Sequence, residues 1–160
     1  MEEQVKKPFA GALLLRDYQP ADWPRLMAIH DAARREELQL AGLEEAFLPL
    51  SVAAEREGLF EYTLRVAELE GEAAGFAAFT QDELAWLYVD PALSRRGVGH
   101  ALVEDALSRM GRPVSIEVLS GNEPALALYH RCGFREVETA AGRMPGNEEF
   151  SVVCHILRLD

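Results

Sequence analysis

Apolar and polar positions recur along this chain with two different periods, and the points where the period changes mark its elements. Ala12–Arg16 is a short apolar run that suits a first strand. Asp22 offers a helix N-cap, Pro24 is tolerated in a first turn, and Leu26, Ile29 and Ala33 continue at helical spacing. Ala41–Phe60 is ambiguous: Leu43, Phe47 and Leu50 suit one helix and Ser51–Gly58 another. The pattern then turns extended. Thr63–Leu69 and Ala73–Thr80 predict strands joined by a tight turn at Glu70-Gly71-Glu72. Leu84–Val89 is an unbroken apolar run, as expected of a central strand buried on both faces.

Helical spacing returns in Gly97–Met110, where Val98, Leu102, Ala106 and Met110 form the inner stripe and Glu104, Asp105, Ser108 and Arg109 the wet one. Val114, Ile116 and Val118 alternate with Ser115 and Glu117 as a strand should. Glu123–Cys132 carries Pro124 in its first turn and Ala125, Leu128, Tyr129 and Cys132 on one stripe, and Gly133 caps its end. Two further strands follow, Phe134–Ala140 and Phe150–Leu159. Early hairpins and a late crossover helix predict an α+β or α/β domain built on a single sheet. With no repeat, linker or low-complexity tract, residues 1–160 read as one domain, with residues 1–9 a flexible N-terminal extension.

Composition narrows the function. Apolar residues make up 49% of the 160 residues, enough to bury a core without a metal or disulfide staple. No apolar run approaches the ~20 residues of a membrane span, and Met1–Lys7 is too polar to open a secretory signal, so a cytoplasmic, membrane-free domain is expected. The net charge of −11 repels nucleic-acid phosphates and attracts a cationic substrate. Cys132 and Cys154 are too few for a disulfide framework or a zinc site. His30, His130 and His155 are scattered, with no nearby Ser or Asp arrangement that makes them triad members or ligands, and no metal is expected.

The informative stretch runs Leu87-Tyr88-Val89-Asp90-Pro91-Ala92-Leu93-Ser94-Arg95-Arg96-Gly97-Val98-Gly99-His100. A strand ends, a loop turns, and a Gly-rich segment opens a helix. The backbone N–H groups from Arg95 to His100 have no partner inside that helix, whose dipole makes this end positive. Such a nest binds phosphate, and Gly97 and Gly99 let a diphosphate come close. A Rossmann fingerprint needs Gly where Leu102 stands, and a Walker loop needs Gly-Lys-Ser/Thr; neither is present.

Downstream, Asn122-x-x-Ala125-x-x-Leu128-Tyr129-x-x-x-Gly133-Phe134 completes a pair of motifs. Together they resemble the GCN5-related N-acetyltransferase (GNAT) superfamily, tightly over Glu83–Phe134 and loosely before it. The resemblance implies a twisted, mostly antiparallel sheet of six to seven strands with helices on both faces, and acetyl-CoA as co-substrate. Leu87, Tyr88, Val89, Arg95, Arg96, Gly97, Val98, Gly99 and His100 then become cofactor contacts, His100 through its backbone N–H. Asn122 matches a cofactor contact and equally suits a helix N-cap. Ser94 departs from the family, which usually has Gln or Arg there; the backbone nest does not depend on that side chain.

The family moves an acetyl group to an amine by direct attack. An alkyl amine with pKa ~10.4 is neutral in only about one molecule in 2,500 at pH 7, so a base must take a proton. Glu117 has a spacing that resembles the ribosomal-protein alanine N-acetyltransferases, Glu83 is the rival, with a spacing that resembles the histone-type enzymes, and water or a residue elsewhere is the remaining alternative. A backbone N–H around Val89 serves the thioester oxyanion. Tyr129 holds the position of the family's acid, which protonates the leaving thiolate. The acceptor is expected to be a primary amine of a small molecule or a peptide, in a pocket shaped by the Ala32–Phe60 region. Met144–Glu149 also borders it in the family; Glu148 and Glu149 suit an ammonium group or an ordinary polar hairpin. A catalytically silent acyl-CoA-binding module, transfer of a different acyl group, and a homodimer all stay open.

Overall fold

The computed structural model describes residues 13–160; the extension expected over residues 1–9 and Ala12 of the first expected strand lie outside the described residues. The chain runs β1 (Leu13–Asp17), α1 (Trp23–Ala41), α2 (Leu50–Glu57), β2 (Thr63–Leu69), β3 (Glu72–Phe79) and β4 (Leu84–Val89). It continues with α3 (Val98–Leu107), β5 (Val114–Leu119), α4 (Glu123–Arg131), β6 (Arg135–Arg143) and β7 (Ser151–Leu159). The ambiguous stretch after α1 resolves into a 3-10 turn at Glu44–Ala46 and the helix α2, whose first N–H, on Leu50, donates to Asp31 Oδ1 at 2.9 Å. Glu70 and Gly71, both at positive φ, form the tight turn between β2 and β3.

The strands form two hydrogen-bonded sets, β1-β2-β3-β4 and β5-β7-β6, all paired antiparallel. They meet at a single parallel bridge between Glu83 and Ser115. The expected mixed α+β sheet is therefore present but parted along its middle. Ala78 pairs with Trp86 whereas Phe79 pairs with Leu84, which leaves Ala85 as an extra residue in β4. A bulge of this kind bends the strand and increases its twist, and β4 turns away from β5 just past the bridge. That overturns the expectation of a strand buried on both faces: Ala85 is exposed, and Leu87, Tyr88 and Val89 are half-buried.

Helices cover both faces. On one, Leu26 and Ile29 of α1 and Leu50 and Ala53 of α2 pack on Leu64, Val66 and Phe76. On the other, Val98, Leu102, Val103 and Ala106 of α3 pack on Ala67, Ala74 and Ala77, and the same cluster takes in Ile116, Val118 and Leu126. One core thus clamps the two strand sets behind the gap. Gly75 is required for that seating, because a Cβ there would lie 2.8 Å from the Tyr88 carbonyl oxygen and 3.1 Å from a Leu102 methyl.

Two polar positions depart from the sequence expectation. Asp22 makes no side-chain cap on α1; its carboxylate instead accepts from Gln19 N–H at 2.8 Å and pairs with Arg16. Asp105, expected to face water, is largely buried, with its two oxygens held by Arg65 Nε at 2.8 Å and Nη2 at 3.0 Å. Arg65 is only 7% exposed and also reaches Asp17, whose side chain is 85% exposed. Leaving a buried guanidinium short of its anion costs far more than removing a surface partner. Asp105→Asn is expected to lower unfolding stability by about 2–3 kcal/mol in urea titration, and Asp17→Asn by less than about 1 kcal/mol.

Candidate active site

The parted strands open a cleft of about 970 Å³. At one end, β4 stops at Val89 and Asp90 folds back, with its Oδ1 accepting from Ala92 N–H at 3.0 Å and Arg25 paired to its other oxygen. The chain then passes through Arg95 at φ +64° and Gly97 at φ +81° before α3 begins. A left-handed conformation suits Gly97 and is uncommon for Arg95. Among the described residues, the N–H groups of Arg95 through His100 donate to no backbone acceptor. The resulting patch of free donors sits at the positive end of α3. His100 Nε2 lies 3.9 Å from Glu104, so its imidazole leans along its own helix. Asp90 N–H donates to Ala74 across β3. Strand alternation therefore turns the Val89 N–H the other way, toward the gap.

Of the expected site residues, Glu83, Leu87, Tyr88, Val89, Arg95, Gly97, Val98, Gly99, His100, Glu117, Asn122 and Tyr129 line this cleft, and Arg96 does not. Tyr129 is 6% exposed, stacks edge-on against Phe134, and its hydroxyl has no hydrogen-bond partner among the described residues. Burial, reinforced by Glu37, raises the proton affinity of that phenol well above its ordinary value. Glu83 is half-buried next to the bridge, and burial with the charges of Glu117 and Asp82 raises its carboxyl. Glu117 is exposed on the opposite strand. Asn122 does cap α4, its Oδ1 accepting from Ala125 N–H at 3.3 Å, while its amide donates to Glu37 Oε2 at 3.2 Å.

The cleft also holds Arg34, Glu37 and Glu57, which the sequence did not single out, beside Tyr88 and Glu148, which it did. Arg34 donates to Glu37 Oε1 at 2.8 Å, and the Tyr88 hydroxyl donates to the same oxygen at 3.3 Å. The Tyr88 ring stands edge-on to buried His30 at 4.8 Å. Burial keeps His30 below its ordinary pKa and hence neutral at pH 7. Glu57, at the end of α2, has its carboxyl pushed up to about 7 by burial, against the opposing pull of Arg34 and with help from Glu148. Arg34 and Glu37 are three residues apart on a helix, which on sequence alone reads as a solvated ion pair. Nothing short of the fold reveals that both face a cleft.

Residues 15–134 match the model of the acetyltransferase (GNAT) family. The peptidyl-lysine N-acetyltransferase YjaB of Escherichia coli is 33% identical over 118 residues, covering 72% of this chain and 72% of that protein. A second E. coli peptidyl-lysine N-acetyltransferase, YiaC, is 34% identical over 76 residues, 47% of this chain and only about half (51%) of the relative. Among solved structures, a GCN5-related N-acetyltransferase from Rhodopseudomonas palustris superposes with a TM-score of 0.75 at 21% identity, over 93% of this chain and 96% of that one.

Glu37 ties α1 to β4 and to the cap of α4 and holds the guanidinium of Arg34, whose side chain is 19% exposed. Glu37→Ala is expected to cost about 2–3 kcal/mol in chemical denaturation. Tyr88→Phe, which loses only the longer hydrogen bond, should cost about 0.5–1.5 kcal/mol.

Proposed function

The chain belongs to the acetyltransferase (GNAT) family, and we propose that its cleft moves an acetyl group from acetyl-CoA directly to a primary amine of a polypeptide or small molecule. The observation that carries this is the run of unpartnered N–H groups from Arg95 to His100 at one end of a cleft whose wall also presents the free Tyr129 hydroxyl. The nest takes the diphosphate of the donor, as the family's use of acetyl-CoA requires. Because main-chain donors do this, Ser94 costs a side-chain contact and leaves the nest intact.

In the reaction the amine nitrogen attacks the thioester carbonyl carbon. A C–N bond forms, the C–S bond breaks, and the carbonyl oxygen carries negative charge in between. The Val89 N–H, turned to the gap, serves that oxyanion. Glu117 or Glu83 takes the proton that the attacking nitrogen gives up, and Tyr129 meets the departing thiolate. A phenol with so raised a proton affinity surrenders its proton reluctantly, so Tyr129 acts mainly as a hydrogen-bond donor to the sulfur. Asn122 contributes through the placement of α4, since its amide is already engaged at both ends.

The acceptor amine comes from the α1 and α2 side. YjaB and YiaC carry names that specify lysyl side chains, while the spacing of Glu117 favours an N-terminal amine. The free thiols of Cys132 and Cys154 suit a reducing, cytoplasmic setting. No helix among the described residues is long and apolar enough to cross a membrane.

Thiol release from acetyl-CoA against an amine panel tests the reading; tight CoA binding with no turnover on any amine identifies a silent binding module instead. Tyr129→Phe is expected to lower kcat by about 10- to 100-fold with an unchanged unfolding midpoint, because its hydroxyl bonds to nothing among the described residues. Of Glu117→Gln and Glu83→Gln, the one that removes the base should abolish the acidic limb of the pH–rate profile. With Glu83 as base that limb lies above the ordinary carboxylate range, as its raised carboxyl requires. If both variants keep the wild-type profile, neither is the base.

A further inference from the structure

Glu57 has no role in the transfer just described, yet it stands on the wall of the same cleft. Its carboxylate presses on the loop between β6 and β7, so closely that a Cβ on Gly146 would lie 2.9 Å from its Oε2. It is half-buried and, among the described residues, receives no hydrogen bond and makes no ion pair. The cations nearby are already engaged. Arg34 is spent on Glu37 and the Met144 sulfur, and Arg56 donates to the Gly146 carbonyl at 2.9 Å. Glu148, whose Oε2 accepts from Gly146 N–H at 3.0 Å, adds a second carboxylate at the same spot. An enclosed carboxylate without a donor is costly unless a ligand supplies one.

Resting on the acetyl-transfer reading above, we propose that Glu57, with Glu148 beside it, selects acceptors that carry a second cationic group in addition to the amine that is acetylated. The substrate class is a dication: a diamine, or a peptide with a basic residue next to the reacting amine. An ammonium or guanidinium is the chemistry that fits, because it brings the missing donors and cancels excess negative charge, whereas an anion would meet carboxylates. The Arg95–His100 nest, which lines the same cleft, takes the donor's anionic half, so the wall carries both a main-chain donor patch and these carboxylates.

The pH behaviour follows from the groups that face Glu57. These are Arg34 from α1, Tyr62 from the segment before β2, Tyr88 from β4 and Glu148 from the β6–β7 loop, with Glu37 of α1 and Glu83, just before β4, lining the same cleft. Its carboxyl ionises at about 7. Below that pH it is protonated and neutral, and its attraction for a second cation is lost.

The test compares 1,4-diaminobutane and an Ala-Lys dipeptide with n-butylamine and an Ala-Ala dipeptide, as acceptors for the intact protein and for Glu57→Gln and Glu148→Gln. In the wild type, KM for each dication should be at least about tenfold below that of its monocationic match at pH 8, and the gap should close as pH falls from 8 to 6. Glu57→Gln should erase the gap and its pH dependence, leaving kcat, the monoamine KM and the acetyl-CoA KM within about twofold. A preference confined to one pair tells a free diamine from a peptide. Equal KM values in the wild type, or a gap that survives in both variants, overturns the proposal. So does a Glu57→Gln variant whose kcat collapses alike on every acceptor, which would make Glu57 the base. Turnover of none of the amines overturns the transfer reading itself.

Discussion

The pairing that β4 and β5 do not make is the constraint on which the site depends. Adjacent parallel strands ordinarily close their gap with a ladder of hydrogen bonds, and strand edges left open are a liability. Here the ladder is abandoned after the bridge at Glu83 and Ser115, where the bulge at Ala85 redirects β4. The donors and acceptors along both edges are thereby left for a ligand. What makes this tolerable is the apolar core behind the gap, a single cluster to which α3 and both strand sets contribute. The alanines of β3 and the bare backbone of Gly75 bring that helix near enough to serve as the clamp.

Charge is then sorted along the gap. A chain with a net charge of −11 would hold a polyanion poorly through its side chains, whereas the main-chain N–H groups and helix dipole proposed above to take the anion are independent of net charge. The rest of the lining carries Glu37, Glu57, Glu148, Glu83 and Glu117, while Arg34 is paired with Glu37 and Arg56 is bonded to the Gly146 carbonyl. On the reading proposed above, such an arrangement suits a cation-bearing nucleophile at the carboxylates and an anionic donor at the main-chain N–H groups. It disfavours either binding in the wrong half.

Most of this fold is legible in the sequence, because the features that define it are local. The positive-φ turn at Glu70-Gly71, the alternation in Val114–Val118 and the Gly-rich opening of α3 each declare themselves over a few residues. What stays hidden depends on tertiary position. The bulge at Ala85 inside an apolar run leaves no mark in the pattern, so Leu84–Val89 reads as fully buried when it is the lip of a cleft. Asp105 sits at a helical position that periodicity assigns to water, and only the approach of Arg65 from β2 draws it inside. The acceptor side was least legible for the same reason: α1 is amphipathic in the ordinary way, and which of its polar residues meet a cavity is decided by β4 and the β6–β7 loop.

The Glu37 carboxylate links these halves. Its oxygens accept from Arg34 and Tyr88 on the acceptor side and from Asn122 at the start of α4. Asn122 in turn caps the helix that carries Tyr129. A cation entering near Arg34 and Glu57 would therefore perturb a carboxylate joined, through a single side chain, to the helix that carries the Tyr129 hydroxyl. Coupling of this kind needs no conformational switch. It follows from a shared hydrogen-bond acceptor whose strength changes with the charge around it, and on the reading proposed above it puts acceptor recognition and leaving-group stabilisation on one electrostatic unit.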